Sequence, residues 1–427
     1  MKKLLYLTVS AILFTTLITA QQFELSAEVR PRYENKHGYQ TLINTDADGT
    51  NFVSQRTRLN FNFEQDKIRL GVTLQNVRVW GDVSTLASDD SATALHEAWA
   101  EVILSGKVTL KMGRQEIVYD DHRIFGNVGW AQQARSHDAF LFKYIPNSKN
   151  RLNVGLALNA DTQAGVDNLY SNATGYKAFQ YVWYHGDFDK FTLSFLALNT
   201  GIEYLENIGL ENEEQTVEYM QTIGPRLTYK SGKFNANAAA YFQTGKTANP
   251  VTNNNTDVSA SYFTGNLGYK LSDMFSIGLG YEYLSGTDIN DTELKSFAPL
   301  FGTNHKFNGW MDYFYVGNHK NSVGLSDVNA TLTYKKDKFS VNLIPHLFSA
   351  AADVFSGSTK MDASLGTEID LTLGYKLANN ITLSAGYSKM FATDTMEILK
   401  GGDRDEDNSW GWVMFTFKPT LFSHTTK

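Results

Sequence analysis

The 427-residue chain contains no cysteine, which excludes disulfide staples, thiolate metal sites and cysteine nucleophiles. Its 38 Lys and Arg against 45 Asp and Glu leave no excess positive charge for a general nucleic-acid binder. Seven prolines and 13% aromatic residues suit a strand-rich protein.

From the start of the chain, Lys2 and Lys3, the apolar stretch Leu4 to Ile18 and the small pair Thr19-Ala20 read as a secretory signal, residues 1–20. Without Lys2 and Lys3 the mature chain carries 36 basic against 45 acidic residues, a net charge of −9. Beyond Ala20 no run approaches the roughly 18 apolar residues of a spanning helix, so this sequence can cross a membrane only as strands.

Strand periodicity begins at once. Phe23, Leu25, Ala27 and Val29 alternate with Glu24, Ser26, Glu28, Arg30 and Arg32. Leu59, Phe61 and Phe63 oppose Arg56, Arg58, Asn60 and Asn62, and Arg69 opposes Ile68, Leu70 and Val72. The same period of two recurs at 234–243, 275–282 and 381–388, and Arg226 stands opposite Leu227.

A β-sandwich alternates too, so connection lengths decide. Short polar turns at 65–67, 105–107, 146–150, 185–190, 231–233, 272–273, 335–338 and 378–380 alternate with long polar segments. Those lie at 36–50, 81–92, 119–136, 160–174, 200–215, 245–257, 286–324, 350–363 and 392–408. The predicted fold is therefore all-β: a transmembrane antiparallel β-barrel over 21–418, with short periplasmic turns, long external loops and a C-terminal tail at 419–427. Nine long loops imply about 18 strands, and about 22 residues per strand and connection is enough for a span of roughly 9 to 11. Phe307 to Gly317 could be misread as a further strand, but it belongs to the longest loop, because otherwise the strand number becomes odd.

A repeat supports this reading. Leu227-Thr-Tyr229-Lys230, Leu267-Gly-Tyr269-Lys270, Leu332-Thr-Tyr334-Lys335 and Leu373-Gly-Tyr375-Lys376 each precede a short turn, at spacings of 40, 65 and 41 residues. The amphipathic ring and long cation suit a membrane interface, whereas a propeller blade would need four strands per repeat.

With the apolar face toward lipid, Arg30, Arg32, Arg56, Arg58, Arg69 and Arg226 line the lumen. Guanidinium groups are good partners for carboxylates. They either select anionic solutes or pair with inner acids such as Glu28, Glu101, Glu282 and Asp370, and both readings stay open. A second cluster runs from Gly113-Arg114-Gln115-Glu116 through Tyr119-Asp120-Asp121-His122-Arg123 to Trp130, Arg135 and Asp138. A bulge near Gly113 is expected to turn Arg114 inward, and the charged segment after it, with Asp120 and Asp121, is expected to fold into the pore as a constriction.

These residues, preceded by His96-Glu97-Ala98-Trp99, resemble the alginate export family of outer-membrane porins. The resemblance implies an 18-stranded barrel whose arginine-rich lumen passes polyanionic uronic-acid polymer, with Arg114, Arg123 and Arg135 as pore-lining residues. The acidic mature chain and the tail after Phe417 depart from the family pattern.

The expectation is an outer-membrane channel of a Gram-negative bacterium for anionic solutes, in particular uronic-acid saccharides such as alginate or its oligomers. Its partners would be membrane lipid and that solute, with no cofactor and no metal. Neither HExxH nor GxSxG occurs, so no enzyme is expected, and the acidic stretches at 46–49 and 403–407 lack calcium-loop spacing. A non-specific porin and an adhesive barrel without transport are the competing readings. Transport direction and oligomeric state are not encoded legibly.

Overall fold

Residues that alternate apolar with small polar side chains form eighteen antiparallel strands, each hydrogen-bonded to its sequence neighbours, in the computed structural model. It describes residues 21–163, 169–170 and 175–426. The secretory segment expected at 1–20 lies outside the described residues. The first nine strands are β1 Gln21–His37, β2 Thr50–Gln65, β3 Ile68–Val79, β4 Thr93–Ser105, β5 Val108–Gln115, β6 His137–Asn147, β7 Asn150–Leu158, β8 Ala178–Phe188 and β9 Phe191–Glu206. The other nine are β10 Glu214–Ser231, β11 Phe234–Asn249, β12 Asn254–Lys270, β13 Phe275–Leu284, β14 Leu325–Lys336, β15 Phe339–Ser349, β16 Ser364–Ala378, β17 Ile381–Ala392 and β18 Ser409–Phe417, which resumes at Thr420–Thr425.

Pairing of β18 with β1 closes the barrel and leaves no free edge. Here the expected tail is corrected: Gln22 pairs with Thr425 and Leu25 with Phe422, so 420–425 is wall. Pro419 cannot donate to the ladder, and the register shifts just beyond it between Thr420 and Phe422, which made the strand look finished in the sequence.

The outward face is the apolar one. Leu70, Val72, Phe195, Leu227, Phe242, Leu279, Leu332 and Leu373 are all exposed, an arrangement that water would penalise and lipid favours. Near the short turns, rings meet along the wall: Phe191 with Tyr229 at 4.7 Å, and Phe275 with Tyr334 at 4.9 Å. Asp66, Asp189 and Asp337 make their tight turns in the left-handed region, which Asp tolerates.

Two long segments are shorter loops than expected. Strands β9 and β10 stay paired up to Glu206–Glu214, and β11 and β12 up to Asn249–Asn254. A ladder needs only backbone groups, so polar composition above the membrane does not end it. Likewise β8 runs on to Phe188, past the expected turn start at 185. Residues 307–317 lie within the 285–324 connection and form no strand.

Candidate solute pathway

Two connections turn into the barrel: L3, residues 116–136, and L7, residues 285–324. The inward arginines of β1 fasten L3. Arg30 donates to the carbonyls of Gly129 at 2.8 Å and Trp130 at 3.0 Å and to the Gln132 side chain at 2.9 Å. Arg32 bonds Glu34 at 2.9 Å and the Trp130 carbonyl at 2.8 Å, with its guanidinium 4.0 Å above the Trp130 ring. Arg56 pairs with Glu28. Arg58 donates to Gln75 at 2.7 Å, which itself donates to the Gln133 carbonyl of L3 at 2.9 Å, and the Arg58 guanidinium lies 3.7 Å from Glu116. Arg69, nearer the short turns, faces Glu64 at 3.1 Å and Glu101 at 3.4 Å.

The expected bulge at Gly113 is absent. Register runs unbroken from Val108–Tyr144 to Gln115–His137, and Gly113 absorbs the crowding with φ +109° where a Cβ would lie 2.4 Å from the Ala98 carbonyl oxygen. Arg114 therefore keeps the parity of Met112 and pairs with Asp138 at 2.8 Å, both of them beside the cavity on the loop side of the barrel. The bulge sits one strand earlier, where Thr73 faces Glu97 and Leu74 faces Leu95. It leaves His96 unopposed, buried and 2.8 Å from Glu116.

L3 and L7 meet across the lumen. Gly126 donates to the Phe301 carbonyl and Thr303 to that of His122, both at 2.8 Å. Arg123, buried, reaches Glu282 of the wall at 3.0 Å and Asn308 of L7 at 2.9 Å. Asp121 pairs with Arg226, and Asp120 accepts from Trp183 at 3.0 Å. The tip of L7 is held by wall carboxylates, with the Met311 amide 2.8 Å from Glu368 and Asn308 3.2 Å from Asp327. Trp130 stacks on His305 of L7 at 4.1 Å and packs edge-on to Trp412 at 4.8 Å. The constriction expected from L3 is thus built from two loops.

On the loop side of this junction opens a cavity of about 600 Å³, lined in part by Arg114, Arg135, Tyr176, Phe301 and Lys320. Arg135 donates to the Gly302 carbonyl at 2.6 Å and Lys320 to the Thr247 hydroxyl at 3.0 Å. Neither has a carboxylate partner among the described residues. Burial lowers the Arg135 guanidinium to about 10 and also pushes the Lys320 ammonium down. Both cations would regain that lost solvation from an anion.

The model of the alginate export family matches residues 21–411. The chain belongs to the alginate export family. Its barrel is also similar to solved outer-membrane proteins of Pseudomonas aeruginosa. OccK8 (OprE) matches with a TM-score of 0.62 and 11% identity over 94% of this chain and 98% of that one. OccK9 (OpdG) gives 0.62 and 13% over 93% and 98%, and OpdK 0.62 and 11% over 94% and 99%. No curated protein sequence matches. The chain is accordingly an outer-membrane barrel of the porin type, and its relatives are channels.

Within this alginate export barrel, sequence reasoning missed L7 as a second inward loop, and with it Asn308, Glu368 and Lys320. The signal was present: Phe297, Phe301, Phe307, Trp310, Tyr313 and Phe314 crowd a segment that a solvated loop would keep polar.

Proposed function

We propose that the channel carries anionic solutes, in particular uronic-acid saccharides, by diffusion past the L3–L7 junction. One observation carries the reading: Arg135 and Lys320 face the outer cavity with no carboxylate partner among the described residues. A desolvated cation without an acid is costly, and a carboxylate entering the cavity would relieve that cost. The half-buried ring of Phe301 beside them offers apolar surface to the apolar face of a sugar. The family's name supports the same cargo class.

Bilayer recordings with glucuronate, oligo-uronates and neutral sugars test it. Anion preference is expected to be clear in the wild type and to fall several-fold in Arg135→Gln with Lys320→Gln. Equal passage of neutral and acidic sugars, or cation preference, would overturn the proposal in favour of a non-specific porin.

A further inference from the structure

The four Leu-x-Tyr-Lys repeats end at the short-turn opening of the barrel, and alternation fixes where their side chains go. Arg226 faces inward, so Thr228 and Lys230 share its face while Leu227 and Tyr229 face lipid. On β12, Tyr262 and Asn266 are inward, which places Lys270 inward and Leu267 and Tyr269, both exposed, outward. By the same count Lys335 follows Asp327 and Thr333 on β14, and Lys376 follows Asp370 and Thr372 on β16. The tyrosines belong to the membrane interface. The lysines belong to the pore mouth.

Three of these four strands bring another lysine alongside, whereas Lys335 on β14 meets Met274. The amide of Lys230 bonds the carbonyl of Lys190, that of Lys270 the carbonyl of Lys233, and that of Lys376 the carbonyl of Lys338, all at 2.9 Å. Like charges so placed on neighbouring strands are destabilising, yet the arrangement occurs three times on one arc from β9 to β16. Among the described residues only Lys270 has an acidic partner there, Asp273 at 2.9 Å. Several cations on the opposite arc are matched, Arg69 with Glu64 and Glu101, Lys143 with Glu101 and Lys418 with Glu28, although Lys67, Lys107 and Lys149 in its turns have no acidic partner among the described residues. Among the described residues lysine bonded to lysine across strands occurs on this arc alone, since Lys67 and Lys107 on the other arc meet Ile103 and Ile145, and this positive half-ring exists in a chain that is acidic overall.

Above the half-ring the same sector of the wall carries Asn237, Asn266, Asn329, Thr331, Asn342 and Thr372, neutral donors and acceptors that suit hydroxyl groups. Gly268 faces Gly278 between them, and the Asn235 side chain lies over Gly268 as a further amide of the track. Arg226 stands at the top of this track, bonded to Asn237 at 2.9 Å and to Asp121 of L3.

We infer that the lysine half-ring is a capture site for polyhydroxylated polyanions approaching from the short-turn, periplasmic side, feeding them along the Asn/Thr track to the L3–L7 junction. This rests on the anionic-cargo reading above. Lipid headgroups are not the ligand, because the residues on the lipid face of these repeats are Leu and Tyr. A lumen-side cluster of unpaired cations raises the local concentration of anions and their rate of entry, typically by 10-fold or more.

Oriented single channels in planar bilayers test this with an oligogalacturonate added to one side at a time. Wild type should be blocked more frequently from the short-turn side, with a block rate that falls steeply as salt rises. The triple variant Lys230→Gln, Lys335→Gln, Lys376→Gln should lose about tenfold of that rate and keep its block from the loop side. Equal block from both sides in the wild type, or a triple variant that blocks like wild type, overturns the half-ring. The reversal potential in a salt gradient, read on the same channels, reports anion preference separately. Retained preference without sidedness therefore sinks only this inference, and absent preference sinks the cargo reading. Heat-modifiable migration on gels establishes that the variant barrel is folded before either reading is made.

Discussion

Arg30 and Arg69 both belong to the inner wall by alternation, but the surroundings make them unequal. Arg30 is buried and satisfies the carbonyls of Gly129 and Trp130, whereas the Arg69 side chain is 40% exposed between two acids. Removing Arg30 leaves those carbonyls unpaired in a dry setting, at about 1–3 kcal/mol each, while a half-exposed pair such as Arg69–Glu64 contributes about 0–1 kcal/mol. Arg30→Ala should therefore free L3, seen as added open-channel noise and higher conductance, and Arg69→Ala should change neither. Parity in the sequence was enough to place both side chains inward. It could not show which contacts a loop 100 residues away, because that depends on where L3 docks. The same limit misplaced the bulge: Gly113 signalled an irregularity, but glycine resolved it through a left-handed backbone and left the register with β6 intact.

At the scale of elements, the strands were legible because a lipid-facing wall must alternate and must return through tight turns, as Asp66-Lys67 and Asp337-Lys338 do. Loops obey no such rule. L7 packs Phe297 against Tyr262 at 5.2 Å and exchanges bonds with Gln243 through Ala298 at 2.7 and 2.9 Å, so it folds as part of the interior. Its anchor near Gly309 is tight, since φ is +79° and a Cβ would sit 2.6 Å from the Glu368 carboxyl. Replacing 304–313 with a short Gly/Ser bridge should open the junction. Single-channel conductance is expected to rise several-fold while anion preference declines, because L3 loses its partner across the lumen. An unchanged conductance would mean that solute passes elsewhere.

Over the whole molecule, closure makes every strand depend on the seam. Below Val29 the wall at β1 is completed only by 420–425, through the pairs from Gln22–Thr425 to Ser26–Thr420 and a bond from the Ala27 amide to the Pro419 carbonyl at 3.0 Å. A chain ending at Pro419 would expose that stretch of β1 as an open edge in the membrane, where each unsatisfied backbone group costs several kcal/mol. The loss would fall on the side of the barrel where Lys418 pairs with Glu28 at 3.0 Å and Glu28 with Arg56, so the charge network under L3 would be disturbed together with the wall. Truncation after Pro419 should therefore abolish the heat-modifiable folded form, whereas Phe422→Leu, which keeps the ladder and an apolar outward side chain, should retain it. If the truncated chain still migrates as a folded barrel, the seam is closed by the upper half of β18 alone, and 420–425 is dispensable for closure.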